Sequence, residues 1–211
     1  RSITRLPCAV LVIGGNPAFA ATTGGSQEET ASMDMPLLAE TAKALHSKSL
    51  PYVRFDYAGW GRSARLLPEG VSRKEPMYAR DIKAMINLML DDYCDSLVVL
   101  AYSAGSNLFL SSFMPPAGAP MTSSAKKVRA MCSLATGHEV WRYSLDEEAK
   151  AAQRSLLEPA HSKASLPIKY IIGSRDRMSP EKSLRELVAQ RPDEGVGVDI
   201  QVIEGADHPF T

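Results

Sequence analysis

Short apolar runs alternate with amphipathic stretches along most of the chain, and this alternation limits the folds open to it more than any other feature. Three of the runs are nearly continuous in apolar residues, as strands buried on both faces are. The runs predict six strands, which begin at Cys8, Pro51, Leu97, Val128, Ile168 and Val198. The stretches between them predict helices, in MPLLAETAKALHSK, MYARDIKAMINLMLDDY, AGSNLFLSSF, DEEAKAAQRSLLE and SPEKSLRELVAQ. Strands joined by such helices form a three-layer α/β/α fold around a mainly parallel sheet of about six strands.

The last of these helices carries its own start signals. Ser179 is expected to be the N-cap, and Pro180 is expected at the first helical position.

Size and charge narrow the class of protein. The chain has 211 residues with 45% hydrophobic residues, which suits one globular domain over residues 1–211. Its 24 basic and 24 acidic residues give no net charge and form no block of one sign, so we expect no nucleic-acid partner. No apolar run approaches the roughly 18 residues of a membrane span.

The cysteines bear on the compartment. Cys8, Cys94 and Cys132 are an odd number without close pairs, which indicates reduced thiols and predicts a cytoplasmic location. The chain opens at Arg1 rather than Met, which leaves open a targeting segment removed upstream.

Small residues surround a serine at one junction of strand and helix. Ser103 follows the strand that starts at Leu97, and the helix starts directly after it. A turn this tight strains the serine backbone and leaves no room for side chains two residues before and after, which here are Ala101 and Gly105. The alternative is a serine that simply caps the following helix.

Ala101-Tyr102-Ser103-Ala104-Gly105 resembles the G-x-S-x-G nucleophile elbow of the α/β-hydrolase superfamily, with alanine for the first glycine. The resemblance is closest to a compact esterase-like or dienelactone-hydrolase-like member. It implies an acid and a histidine after later strands, in the order Ser, Asp, His, and these positions hold Asp176 and His208. Taken singly, Asp176 also suits a helix cap or salt bridge, and His208 an exposed loop. Glu139 and Asp146 are alternatives for the acid.

Two other segments fit the resemblance. LVIGGNPAF occupies the place of the family's oxyanion segment, so Gly15 or Asn16 is expected to supply a second N–H donor beside that of Ala104; a plain turn is the alternative. FDYAGWGRS looks like a family turn, and we interpret it as structural, with Asp56 bonding loop amides.

Further residues are placed by position alone. Tyr102, Trp60 and His138 are candidates for the substrate pocket, His138 being more simply a loop residue, whereas His46 and His161 are expected at the surface.

The resemblance implies a serine hydrolase that cleaves an ester, thioester or similar acyl bond of a small molecule, with no metal and no cofactor. The family's two leading antiparallel strands have no room before Cys8, and the roughly thirty residues from Cys132 to Ile168 leave room for a small lid alone. Two alternatives remain open, a non-catalytic scaffold of the same fold and a peptidase or acyltransferase with the same three residues. The sequence leaves the oligomeric state undetermined.

Overall fold

The structure is a computed structural model. It describes residues 4–15, 32–58, 62–63, 75–114, 120–139, 147, 151, 161, 166–191 and 197–210. Its centre is a sheet of six strands, which are β1 Ala9–Ile13, β2 Tyr52–Arg54, β3 Leu97–Tyr102, β4 Val128–Leu134, β5 Ile168–Gly173 and β6 Val198–Ile203. The spatial order is β2-β1-β3-β4-β5-β6, and every neighbouring pair is parallel. All six predicted strands and the parallel sheet are confirmed.

Helices connect the strands. They are α1 Pro36–Ser47, α2 Glu75–Leu88, α3 Ala104–Phe113, α4 Ser123–Lys127 and α5 Glu181–Val188. A π-helical turn, Met89–Tyr93, continues α2. Four of these helices were predicted, and the short α4 was not. The predicted helix DEEAKAAQRSLLE and the small lid fall on residues 140–165, which lie outside the described residues except for positions 147, 151 and 161.

The start of α5 differs from the prediction. The helix begins at Glu181 with Pro180 at the capping position. The Ser179 hydroxyl does not cap it, because that oxygen accepts a hydrogen bond from the Gly137 N–H at 2.7 Å. Ser179 therefore joins α5 to the end of β4, and the prediction that it is the N-cap was wrong.

The two faces of the sheet carry separate apolar clusters, as a three-layer fold requires. The larger cluster joins one face to α2, α3 and α5 through residues such as Ile82, Phe109 and Leu184. The smaller cluster packs α1 on the opposite face and includes Leu38 of α1 and Val12 of β1. Helices on both faces explain why the central strands are apolar on both sides.

The carboxyl ends of the strands define where a site can form. Because the strands are parallel, Ser103 after β3, Gly137 after β4, Asp176 after β5 and His208 after β6 all lie at one edge of the sheet. The strand order reverses between β1 and β3, and such a switch point opens a crevice at this edge.

Among the helices of the described ranges, none has the length and apolar character needed to cross a membrane.

Candidate active site

Ser103 has a strained backbone. Its φ of 51° and ψ of −128° lie in a region that residues other than glycine rarely occupy, at a typical cost of about 1–3 kcal/mol. Its N–H donates to the Leu134 carbonyl at 2.8 Å, which fixes the turn to the neighbouring strand. The side chain makes no capping bond to α3. The structure therefore excludes the interpretation of Ser103 as a simple helix cap.

Close packing at the elbow explains the small residues around the serine. A Cβ atom on Gly105 would stand 2.1 Å from the Gly14 carbonyl oxygen and 3.0 Å from Cγ2 of Ile13. Ala101 is completely buried. The start of α3 therefore lies directly on the end of β1, which also brings Gly14 and the adjacent Gly15 to the elbow.

Three side chains from separate strand ends form one hydrogen-bonded cluster. The Ser103 Oγ lies 2.8 Å from Nε2 of His208. The Nδ1 atom of His208 lies 2.8 Å from Oδ2 of Asp176. A carboxylate is an acceptor, so it selects the tautomer with the proton on Nδ1 and leaves Nε2 free to accept the serine hydroxyl proton.

Asp176 is held at both oxygens. Its side chain is fully buried. While Oδ2 faces His208, Oδ1 accepts hydrogen bonds from the N–H groups of Met178 at 2.8 Å and Ser179 at 3.0 Å. Asp176 thus occupies the position beside the histidine. Of the two alternatives for the acid, Asp146 lies outside the described residues. Glu139 is buried, and its backbone N–H donates to the Met178 carbonyl.

His208 is mostly buried and is held in place by contacts with neighbouring residues, in contrast to the exposed loop position considered from the sequence. The side chain is 12% exposed. The Ala206 carbonyl accepts the N–H of Arg175 at 2.8 Å, which ties the histidine loop to the acid loop. The Tyr102 ring contacts the imidazole in a tilted arrangement, with 5.6 Å between ring centroids. Burial, followed by the charges of Asp176 and Asp207, raises the pKa of the Tyr102 hydroxyl, so it stays protonated.

Of the remaining predicted site residues, the structure describes Ala104, Gly15 and His138. Ala104 is the first residue of α3, in the turn whose N–H groups lack helical partners. Gly15 is buried just after β1. Asn16 and Trp60 lie outside the described residues. His138 is buried, with Nε2 2.9 Å from the Ser183 hydroxyl of α5.

His161 differs most from its predicted position. It was expected at the surface, but it is fully buried. Its Nε2 lies 2.6 Å from Oδ1 of Asn107, and its Nδ1 lies 3.0 Å from the Tyr170 hydroxyl. Burial lowers the pKa of His161 to about 3, and the charges of His138 and Arg191 act in the same direction. His46, by contrast, is exposed as expected.

Gly137 belongs to the site but was not predicted there. Its φ is 63°, in the region that favours glycine. A Cβ atom at this position would stand 3.4 Å from the Ser103 Oγ and 3.8 Å from Cε1 of His208. A glycine at the end of a predicted strand, in ATGHE, was the available signal.

The Asp56 turn has the structural role expected of it. Its carboxylate accepts the N–H groups of Met33 at 2.6 Å and Arg62 at 2.8 Å. The adjacent Tyr57 is buried and donates its hydroxyl to the Gly14 carbonyl at 3.1 Å. The turn therefore supports the end of β1 beside the elbow.

Across the part of the chain that the structure describes, no group of three or more His, Cys, Asp or Glu residues is arranged to hold a metal ion. The three cysteines are unpaired, with Cys94 buried and the other two partly buried.

A parallel six-stranded sheet with a serine at a strained turn after its third strand defines the α/β-hydrolase fold, and the chain has this fold. Est1E from Butyrivibrio proteoclasticus, solved with ferulic acid bound, is similar to the chain with a TM-score of 0.68 at 13% identity, over 98% of this chain and 82% of that one. The esterase Pf2001 from Pyrococcus furiosus gives a TM-score of 0.65 at 14% identity, over 97% of this chain and 75% of that one. An α/β serine hydrolase homologue from Coxiella burnetii gives 0.61 at 18% identity, over 99% and 80%.

No protein-family model and no curated protein sequence matches the chain. Because the identities to the solved structures are this low, the likeness is one of fold.

Proposed function

We propose that the protein is a serine hydrolase that cleaves carboxylic esters of small molecules through an acyl-serine intermediate. The observation that carries the proposal is the pair of contacts at His208, with Ser103 Oγ 2.8 Å from Nε2 and Asp176 Oδ2 2.8 Å from Nδ1. A serine hydroxyl is a weak nucleophile at neutral pH and needs a base within hydrogen-bonding reach. Each of the three groups lies within that reach of the next.

In the first half of the reaction, Ser103 Oγ attacks the ester carbonyl carbon while its proton passes to Nε2 of His208. The imidazolium is stabilised by Asp176, which keeps its negative charge throughout. The tetrahedral intermediate then expels the alcohol, which takes the proton from Nε2. The acyl group remains on Ser103 as an ester.

In the second half, a water molecule gives its proton to Nε2 of His208 and attacks the acyl carbon. The intermediate collapses, the carboxylic acid leaves, and the proton returns to Ser103 Oγ. No electron donor or acceptor enters the balance. His208 is therefore the base in both halves, while the nucleophile is Ser103 Oγ in the first half and water in the second, and neither half needs a cofactor.

The oxyanion of both intermediates needs hydrogen-bond donors beside the serine. We assign these to the N–H of Ala104, at the start of α3, and the N–H of Gly15, with Asn16 as the neighbouring alternative. The contact of Gly105 with the Gly14 carbonyl supports this assignment, since it holds the β1 end against the elbow. Loss of one such donor typically costs about 3 kcal/mol of transition-state stabilisation.

Two features bear on the substrate. Gly137 lies against Ser103, so the space on that side of the nucleophile is open to an acyl group that a side chain would block. Tyr102 is proposed as a wall of the acyl pocket; Trp60, outside the described residues, stays a candidate for the same role, as does His138, which contacts Ser183 of α5. One structural neighbour is named an esterase, and another was solved with a carboxylic acid bound, which supports esters over other acyl compounds.

The test is hydrolysis of a panel of p-nitrophenyl esters by wild type and Ser103→Ala. We expect turnover by wild type and a loss of about 10⁴-fold or more in Ser103→Ala. Ser111→Ala is the matched control, because it makes the same substitution farther along α3, where the hydroxyl lies 3.5 Å from the Leu108 carbonyl. Equal rates in wild type and Ser103→Ala contradict the proposal.

Parallel assays with thioesters and aminoacyl amides define the acyl class. Preference for an amide or for transfer to an amine acceptor assigns the same three residues to a peptidase or acyltransferase. Absence of turnover on all three panels, together with absence of covalent labelling by a fluorophosphonate that reacts with activated serines, assigns the chain to a non-catalytic scaffold.

A further inference from the structure

A chain of buried hydrogen bonds runs from β5 to the wall of the candidate site. The Tyr170 hydroxyl lies 3.0 Å from Nδ1 of His161, and Nε2 of His161 lies 2.6 Å from Oδ1 of Asn107. The Asn107 amide nitrogen then donates to the Gly137 carbonyl at 3.2 Å. Apart from Gly137, none of these residues belongs to the machinery described above.

The direction of each bond in this chain follows from donor and acceptor rules. A carbonyl accepts, so the Asn107 side chain presents its nitrogen to Gly137 and its oxygen to His161. His161 must therefore carry its proton on Nε2 and accept the Tyr170 hydroxyl at Nδ1. The Thr136 hydroxyl lies 3.4 Å from Nε2 at the edge of the same contact.

The series of hydrogen bonds continues from Gly137 to Asp176. The Gly137 N–H donates to the Ser179 hydroxyl at 2.7 Å, and the Ser179 N–H donates to Oδ1 of Asp176 at 3.0 Å. Gly137 is thus held at its carbonyl by Asn107 and at its N–H by Ser179. All of these groups are buried. If one of the hydrogen bonds is lost, the remaining polar atom has no water to bond to, and this costs free energy.

We propose that Asn107 and His161 are positioning residues, which fix Gly137 against Ser103 and His208 and keep Asp176 aligned with the imidazole. This role rests on the proposed function, because what it positions is the serine, histidine and aspartate of the hydrolase. Neither residue touches the reacting atoms. They act through the Gly137 backbone and through Ser179.

Burial of His161 suits this role. A titrating imidazole would reverse the bond to Tyr170, because a protonated Nδ1 donates. The pKa of His161 is lowered to about 3, so the imidazole stays neutral and the directions of the bonds stay constant at neutral pH. Among the described residues, the groups that face it are Asn107, Thr136, Tyr170, His138 and Arg191.

The first variants change the link to Gly137. Asn107→Asp keeps the shape but replaces the donor to the Gly137 carbonyl with a carboxylate oxygen, and Asn107→Leu removes both bonds. His161→Gln retains a nitrogen donor toward Asn107 and is the conservative rescue for His161→Phe. Tyr170→Phe removes only the hydroxyl that bonds to His161. It is the variant to measure if the larger substitutions prevent folding. Ser133→Ala is the matched control. It removes a buried hydroxyl that donates to Ser106, and neither serine belongs to the series of hydrogen bonds from Tyr170 to Asp176.

The kinetic readout separates positioning from stability. We expect Asn107→Asp and His161→Phe to lower kcat on a p-nitrophenyl ester about tenfold to a hundredfold with KM nearly unchanged, because small displacements of reacting groups cost rates of this size. His161→Gln is expected to recover most of the loss, and Ser133→Ala to keep the wild-type kcat despite lower stability. Wild-type kcat in folded Asn107→Asp and Asn107→Leu would overturn the proposal.

A second readout does not need activity. Nitrogen-15 NMR of the imidazoles is expected to show His161 with its proton on Nε2 at neutral pH, and the His208 Nδ1–H signal is expected to shift in Asn107→Leu. An unchanged His208 signal contradicts the positioning role. If wild type lacks esterase activity, the proposed function fails while this spectrum still decides whether Asn107 and His161 govern the geometry at His208.

Discussion

The backbone of Gly137 lies against the side chain of Ser103, so closely that a Cβ atom on the glycine would stand 3.4 Å from the serine Oγ. The contact joins the end of β4 to the elbow after β3. It makes the glycine part of the surface beside the nucleophile, where an acyl group has to approach.

Gly137→Ala is expected to lower kcat/KM about tenfold to a hundredfold. A methyl group occupies space beside Ser103, and alanine at a φ of 63° costs about 1–2 kcal/mol in strain. Ester kinetics with circular dichroism measure the effect. Gly197→Ala is the matched control, because a Cβ there meets no atom within 4 Å. Equal kcat/KM in the two variants would show that the space beside Ser103 is not used.

Asp176→Asn is expected to lower kcat about 10³–10⁴-fold while the fold is retained. The amide oxygen still accepts the N–H groups of Met178 and Ser179, but the amide nitrogen then faces Nδ1 of His208. The proton moves to Nε2, which no longer accepts from Ser103. Asp199→Asn on the exposed face of β6 is the control, since its ion pair with Lys169 is solvated. A loss of less than tenfold in Asp176→Asn would mean that the carboxylate does not orient the imidazole.

Gly105→Ala is expected to destabilise the protein by about 3 kcal/mol, because the new Cβ would stand 2.1 Å from the Gly14 carbonyl oxygen and backbone must move. For a chain of this size the melting temperature then falls by about 6–12 °C. Differential scanning calorimetry beside Gly197→Ala measures the difference. A wild-type melting temperature would show that α3 does not pack on β1 as closely as described.

His161 is expected to make stability depend on pH. Its pKa is lowered to about 3 in the native state, mainly by burial, whereas in the unfolded chain it is about 6.5. Between these values the unfolded state binds the extra proton, so the free energy of unfolding falls as pH falls from 6.5 toward 3. From about pH 7.5 to about pH 5 the loss from this residue is about 2 kcal/mol. Urea unfolding should show it in wild type and not in His161→Gln; parallel pH profiles would refute it.

Apolar periodicity predicts all six strands, because buried strands of a parallel sheet need continuous apolar runs and the helices between them need an apolar stripe. The resemblance to the α/β-hydrolases, and not periodicity, selected Ser103, Asp176 and His208 among the residues that follow strands. Once the strands are parallel, residues after their carboxyl ends meet at one edge. A residue's position relative to the end of its strand therefore indicates whether it lies at this edge, and its distance along the sequence from the other site residues does not.

The polar contacts behind the site were not predictable in this way. His161 looks like a loop residue, because nothing in its neighbours along the chain indicates that Asn107 and Tyr170 surround it. Ser179 precedes a proline and a glutamate, which is a helix-start pattern, yet its hydroxyl accepts the N–H of Gly137, which follows β4. Local patterns do not report such partners, since the bonds join residues 42 and 54 positions apart.

Covalent labelling with a fluorophosphonate, followed by mass-spectrometric mapping of the adduct, tests the central claim most directly. The probe reacts with a serine only where a neighbouring base activates it. The account predicts one adduct, on Ser103, that forms in wild type and Ser111→Ala, slows strongly in Asp176→Asn and is absent in Ser103→Ala. A wild-type protein that stays unlabelled, or an adduct that persists in Ser103→Ala, would contradict it.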